Sequence, residues 1–261
     1  MAPSAVWLIS GASRGIGAEL AKQVLSTPNT VVFASARCLD GAKPLHELQK
    51  TFPSRLHLIS MDVVNSSSIQ AAVQAVAKIT GQSGVDYLVN NAGTAGPPVP
   101  AHEEKVDDFR TILEINVLGV HAVSQAFLPL LMMGLKKTVI NMSSCLGSHA
   151  FLLSNPVGWE NSSATLPAYK TSKAALNMLT LSWESDVTAA QGFIFVAVHP
   201  GLVTTDMGSA FIKSAKLDNP AIRCISLTPQ QSVEALLKTI ANLKLEDTSK
   251  FLNYDGLPML Y

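Results

Sequence analysis

Charged residues are few in this sequence, and they cancel. They make up 15% of 261 residues, with 19 Lys plus Arg against 19 Asp plus Glu. A chain with no net charge has no global field to attract nucleic acid or an anionic membrane, so neither is expected as a default partner, although a local basic pocket stays open. Cysteine is sparse too. Cys38, Cys145 and Cys224 are odd in number, far apart and outside any CxxC or Cys/His spacing. That argues against a disulfide framework and a structural zinc, and no metal site is expected. The N-terminus, MAPSAVW, has no basic stretch before its apolar run, so a signal-peptide pattern is lacking. The most apolar segment, 126–135, holds Pro129 and Gly134 and falls short of the ~20 residues that span a bilayer. The expectation is a soluble, cytoplasmic protein without a membrane span.

Apolar residues, in contrast, make up 48% of the chain, enough for a large core and too many for a disordered polymer. No linker, repeat or low-complexity block interrupts residues 1–261, and the length suits one α/β domain. Val6–Ser10 is an apolar run ending at Gly11, and Ala18–Leu25 beyond it has helical spacing. The order is therefore strand, glycine turn, helix. Further strands are expected at 31–35, 56–61, 87–89, 138–142, 193–198 and 250–253. Helices are expected at 44–52, 66–79 with Ser66 as N-cap, 103–131 with Pro129 ending or kinking it, 168–190 and 230–243. Seven strands alternating with helices predict a doubly wound parallel sheet with helices on both faces, a Rossmann fold. Ligands of such sheets sit at the carboxyl ends of the strands. Two long connections, 145–167 and 201–228, follow strands and should hang over that crevice.

Three motifs carry chemistry. Gly11, Gly15 and Gly17 form a turn where a pyrophosphate can approach backbone and a helix N-terminus. Asn90-Asn91-Ala92-Gly93 follows the fourth strand. Tyr169 and Lys173 stand four residues apart and share a helix face. A phenol titrates near ~10, and a neighbouring ammonium would lower that value and suit the group to proton transfer.

In joint order and spacing these motifs resemble the short-chain dehydrogenases/reductases, over about Val6 to Gly256. Ser10 stands where that family normally has Thr, and it keeps the hydroxyl. The long connection before Tyr169, the phrase Pro200-Gly201-Leu202-Val203-Thr204-Thr205-Asp206-Met207 and the ending Tyr254-Asp255-Gly256 are similar to a carbonyl-reductase branch that includes C-factor-like proteins and fungal ketoreductases of secondary metabolism.

The resemblance implies a catalytic set of Asn116, Ser144, Tyr169 and Lys173. Ser144 would orient the substrate carbonyl, Tyr169 would donate the proton, Lys173 would stabilise the phenolate and hold the nicotinamide ribose, and Asn116 would support a water linking Lys173 to solvent. Ser144 and Tyr169 lie 25 residues apart, a longer gap than most of the family has, and Ser143 stays open as a substitute. The implied cofactor surface comprises Gly11, Ser13, Arg14, Gly15, Ile16, Gly17, Arg37, Asp62, Val63, Asn91, Ala92, Gly93, Tyr169, Lys173, Pro200, Gly201, Val203 and Thr204. No acidic residue closes the second strand, where NAD-binding folds hold the ribose hydroxyls. Arg37 and Arg14 could instead converge on a 2′-phosphate, which points to NADP(H).

Leu146, His149, Phe151, Leu152, Leu153 and Trp159 in one connection, with Met207, Phe211 and Ile212 in the other, make an apolar set suited to a bulky carbonyl. Thr94–Pro100 is a candidate further wall. The leading expectation is an NADPH-dependent carbonyl reductase that assembles as a homodimer or homotetramer through helices near 122–131 and 168–190. Alcohol oxidation, non-carbonyl reduction or isomerisation, and a non-catalytic NADP(H)-binding regulator are the alternatives.

Overall fold

The computed structural model describes residues 5–154, 166–184, 191–214 and 224–261. The central sheet joins β1 (Ala5–Ile9), β2 (Thr30–Ala36), β3 (Leu56–Ser60), β4 (Tyr87–Asn90), β5 (Thr138–Met142), β6 (Ile194–His199) and β9 (Phe251–Asn253) in the order β3-β2-β1-β4-β5-β6-β9. Every pairing is parallel. Parallel strands covered on both faces read as continuous apolar runs rather than alternating ones, which is why AVWLI and TVINM are buried almost throughout.

One face carries α1 (Gly15–Leu25), α2 (Lys43–Thr51) and α9 (Pro229–Ala241), which bury Leu20, Val24, Leu45, Val233, Leu236 and Ile240 against Ile9, Val32, Ile140 and Val196. The other carries α3 (Ser66–Thr80) and α5 (Gly119–Met133), which bury Ile69, Val76, Val123, Phe127 and Leu131 against Leu8, Phe33, Leu88 and Val139. Asp86 ties three pieces together: its carboxylate accepts the backbone N–H of Val6 at 2.8 Å, Leu135 at 2.7 Å and Lys136 at 3.2 Å. Strand order reverses between β1 and β4, which leaves a crevice at their carboxyl ends.

Several local expectations change. Asn65, not Ser66, caps α3; its side chain accepts the N–H of Ser68 at 2.9 Å. Its extended backbone (φ −113°, ψ 108°) presents the side chain to the first turn as a cap requires. Helix α4 (Val106–Leu113) begins three residues later than 103, passes through a π-helical turn (Glu114–Leu118) and continues as α5. Pro129 does not end the helix, and α5 runs on to Met133. Both Pro129 and Gln125 are exposed, so the carbonyl that proline leaves unpaired can be solvated. The continuous Val106–Met133 helix is long and apolar enough to cross a membrane by length and composition, unlike the 126–135 segment alone. Its Val120, Val123, Phe127, Leu130 and Leu131 are buried, and all but Val120 belong to the second core.

The two long connections are not irregular throughout. The first holds a 3₁₀ turn (Cys145–Gly147) and α6 (His149–Ser154); the second holds β7 (Leu202–Val203), α8 (Asp206–Ser214) and β8 (Ser226–Leu227), with β7 and β8 paired in parallel. Helix α7 spans Pro167–Trp183. Residues 185–190, like Trp159, lie outside the described residues.

Candidate active site

The glycine turn links β1 to α1, and its shape is held from β4. Asn91 Nδ2 donates to the carbonyls of Ser10 (3.0 Å) and Gly11 (2.9 Å), while the Ser10 hydroxyl accepts the N–H of Asn91 and of Ala92, both at 3.0 Å. The Ser10 hydroxyl thus accepts two N–H groups and donates to the Val89 carbonyl at 3.3 Å. Gly17 admits no side chain, because a Cβ there would stand 2.5 Å from Asn91 Nδ2 and 2.6 Å from the Gly11 oxygen. Gly15 has φ +57°, in the left-handed region. No side chain caps α1, so its first N–H groups, with Ser13 and Ile16 half-buried beside them, offer donors to an anion such as a pyrophosphate.

Arg14 and Arg37 are both exposed, and Arg37 follows β2 directly. Arg14 is engaged elsewhere in this structure: its guanidinium lies 3.2 Å from the Asp206 carboxylate at the start of α8. The donors of this corner, an uncapped helix end and two guanidinium groups, fit a phosphorylated dinucleotide. Asp62 accepts the N–H of Val64 at 3.2 Å as a turn residue, and its own N–H meets the Ser68 hydroxyl at 2.9 Å. Val63 packs on Gly119, where a Cβ would come within 3.0 Å of it. Asn90 points into the fold, donating to Ser124 at 3.0 Å and Asn141 at 2.8 Å.

At the ends of β4 and β5 the four expected catalytic residues come together. Lys173 is buried, and its Nζ donates to the Met142 carbonyl at 2.7 Å and lies 5.6 Å from the centre of the Tyr169 ring. Asn116 sits in the π turn, fully buried. It accepts the Thr94 N–H at 2.9 Å and donates to the Thr94 carbonyl at 2.8 Å and to Ser172 Oγ at 2.9 Å. A Cβ on Gly93 would stand 3.2 Å from Asn116 Oδ1 and 3.8 Å from Lys173 Nζ, so Asn116 and Lys173 flank one small space.

The serines separate by role. Ser143 donates to Asn177 Oδ1 at 2.6 Å and joins β5 to α7. Ser144 accepts the Leu146 N–H at 3.2 Å, and its hydroxyl stands close enough to the Tyr169 phenol to favour the phenolate. Ser144 is therefore the serine beside the phenol, and Ser143 is committed to packing.

The electrostatics differ from the sequence expectation. The ammonium does not lower the Tyr169 phenol. Burial pushes it up to about 12, the Ser144 hydroxyl opposes that rise, and Cys145 adds to it. Burial also pulls Lys173 down to about 8. Desolvation disfavours the charged form of each, and Lys173 spends a donor on a backbone oxygen. The arrangement keeps the phenol protonated and Lys173 largely cationic near neutral pH.

Beyond β6, the Pro200 carbonyl accepts the Ser232 hydroxyl at 2.6 Å, Val203 is buried in β7, and Thr204 donates both N–H (2.8 Å) and hydroxyl (3.2 Å) to the Leu227 carbonyl. In the apolar set, Leu146 is buried with Cys145 and Leu166, and Phe151, Leu152, Tyr169 and Phe211 pack against them. His149, Leu153 and Met207 are exposed instead, Leu153 at 87%.

Sequence reasoning missed three residues. Met259 joins the same apolar cluster from beyond β9. Ser172 donates to the Tyr169 carbonyl at 2.8 Å and meets Asn116. Glu104 accepts the N–H of Ala168 at 3.0 Å and so tethers the first turn of the helix that carries Tyr169. Of these only Ser172 carried a signal, its place one position before Lys173 on the helix that carries Tyr169.

The model of the family described as short chain dehydrogenase matches residues 5–216. An uncharacterised oxidoreductase of Schizosaccharomyces pombe is 36% identical over 261 residues, covering 98% of each chain. The short-chain dehydrogenase srdF of Neurospora crassa is 32% identical over 255 residues, covering 96% of this chain and 94% of its own. Among solved structures, the NADPH-bound carbonyl reductase from chicken fatty liver superimposes with a TM-score of 0.84 at 32% identity, covering both chains completely.

Proposed function

The chain belongs to the short-chain dehydrogenases, a family of oxidoreductases, and from that membership we propose that it is an NADPH-dependent carbonyl reductase acting on a bulky, apolar ketone or aldehyde. The observation that carries this reading is the grouping of Ser144 with Tyr169, and of Lys173 and Asn116 at Gly93, next to an apolar cluster. The solved relative named above holds NADPH, and the uncapped helix with Arg14 and Arg37 offers this chain's counterpart for pyrophosphate and 2′-phosphate.

The bound nicotinamide cofactor supplies the hydride. This chain's residues do the rest. Ser144 and Tyr169 hydrogen-bond the substrate oxygen, and Tyr169 passes it the phenolic proton. Lys173 offsets the charge left on the phenol. Asn116 holds the Thr94 backbone beside Lys173, where a water can return the proton. Val203 and Thr204 would hold the carboxamide side, and Leu146, Phe151, Leu152 and Phe211 would face the substrate. A protonated phenol is the form that donates a proton in reduction, and intact Tyr169 and Lys173 argue against a non-catalytic role.

The same proposal includes a homodimer or homotetramer through α5 and α7. It is supported by exposed Leu118 just ahead of α5 and by Met178 and Leu181 on α7, and light scattering on the purified chain tests it.

The functional test is paired fluorescence titration with NADPH and NADH, then turnover of a bulky ketone. Tighter NADPH binding, weakened by Arg37→Ala, is the expected result. Preferential NADH binding would overturn the cofactor assignment.

A further inference from the structure

We infer that residues 254–261, which follow β9, form a wall of the substrate pocket, and that Met259 sets the size of carbonyl compound the pocket admits. The inference rests on the reductase reading proposed above.

The path of this segment is specified by its own bonding. After β9 the chain reverses at Gly256, which has φ +85°, and Asp255 Oδ1 accepts the Leu257 N–H at 3.1 Å. It then returns along β9. Asn253 N–H donates to the Leu257 carbonyl at 2.8 Å, Leu252 bridges Pro258, and Met259 N–H donates to the Phe251 carbonyl at 2.7 Å. Met259 is therefore held by a strand of the main sheet rather than by a free tail.

The side chains of this segment divide. Leu257 and Leu260 are exposed at 64% and 77%. Met259 is half-buried and packs on the Cys145, Leu146 and Leu166 set, the same set that carries Tyr169, Phe151 and Phe211. A methionine at the edge of an apolar, aromatic cluster is unbranched and polarizable. It adapts to a flat or fused-ring ligand and makes favourable sulfur–aromatic contacts.

One buried hydroxyl couples this wall to the next. Ser148 donates to the Leu260 carbonyl at 2.6 Å and accepts the Phe151 N–H at 3.0 Å, so it caps α6 and anchors the segment together. Ala150 N–H donates to the Tyr261 carbonyl at 3.2 Å, and the Tyr261 hydroxyl donates to the Ser249 carbonyl. Phe151 and Leu152 of α6 thus share a frame with Met259. The described members of the cluster are uncharged, which favours selection by shape. One methylene-sized change in such a pocket alters discrimination by about 10- to 200-fold.

The test compares NADPH-dependent reduction of 1-tetralone and 2-butanone by the wild type, Met259→Ala, Met259→Trp and Ser148→Ala, with NADPH affinity measured in parallel. Met259→Trp should lower the 1-tetralone to 2-butanone ratio of kcat/KM by about tenfold or more, and Met259→Ala should change that ratio in favour of bulk. Ser148→Ala should raise KM for 1-tetralone more than it lowers kcat. All three should bind NADPH within about twofold of the wild type, which also reports that they fold. A ratio that moves less than twofold in both Met259 variants, with NADPH binding intact, would overturn the inference and leave the reductase reading standing. A wild type that binds no NADPH would overturn that reading, and the inference with it.

Discussion

Tyr169 and Lys173 are pushed in opposite directions by the same cause, loss of water, and the two shifts together define a working pH range. The phenol at about 12 stays protonated through neutral pH, whereas Lys173 at about 8 begins to lose its charge just above it. Lys173 is cationic below its pKa, and only the cation offsets a developing phenolate. Reduction should therefore fall along a single ionisation with its half-point near pH 8, measured as kcat against pH at saturating NADPH. A profile flat to pH 10 would mean that the Lys173 charge is not used. Tyr169→Phe removes the proton donor but not the ring. It should lower kcat by about 100- to 10,000-fold while NADPH affinity, read by fluorescence, stays near that of the wild type. Full turnover by this variant would remove Tyr169 from the mechanism. Both residues were legible in the sequence as a pair four apart in a helix. Their electrostatics were not, because desolvation depends on packing by Met142, Cys145 and Asn116, none of which is a local neighbour in sequence.

Among the elements, the π-helical turn at Glu114–Leu118 does what a regular helix would not. It carries Asn116, whose side chain satisfies both polar groups of the Thr94 backbone and meets Ser172. Asn116→Ala would leave those buried groups unpaired at about 1–3 kcal/mol each where water cannot replace the bond. It should lower both urea stability and kcat. Unchanged stability would show that water fills the site. The start of α3 allows a sharper comparison. Asn65→Ala removes the side chain that caps Ser68 N–H and should cost about 1 kcal/mol, whereas Ser66→Ala, inside the helix, should cost less than about 0.5 kcal/mol by urea denaturation. The reverse order would restore Ser66 as the cap. Element type and order were readable because apolar spacing and glycine positions are local signals. The cap, the π turn and the passage through Pro129 were not, since each depends on a single residue's φ/ψ, on solvent access or on a distant partner. Met259 escaped for the same reason: a non-periodic segment gives no sign of which strand it will pair with.

For the molecule as a whole, the proposed cofactor site and the apolar connection meet at one ion pair. Arg14 and Asp206 are 78% and 80% exposed, so the pair itself contributes little to folding. Its consequence lies in competition. A 2′-phosphate that takes Arg14 must displace Asp206, and the Asp206 carboxylate stays nearby as a like charge. Asp206→Asn should therefore tighten NADPH by up to about fivefold and leave NADH unchanged. The readout extends to global stability, because a ligand bound only by the folded state adds to it by mass action. At about 100 times its dissociation constant NADPH should add ~2.7 kcal/mol. In a chain of this length, where 1 kcal/mol moves Tm by about 2 °C, that is a rise of about 5 °C. At the same concentration NADH should raise Tm less. Arg37→Ala should bring the NADPH shift down towards the NADH value, and Asp206→Asn should enlarge it. Equal shifts with both cofactors in every variant would mean that neither guanidinium reads the 2′-phosphate, and cofactor selection would then have to come from another part of the crevice.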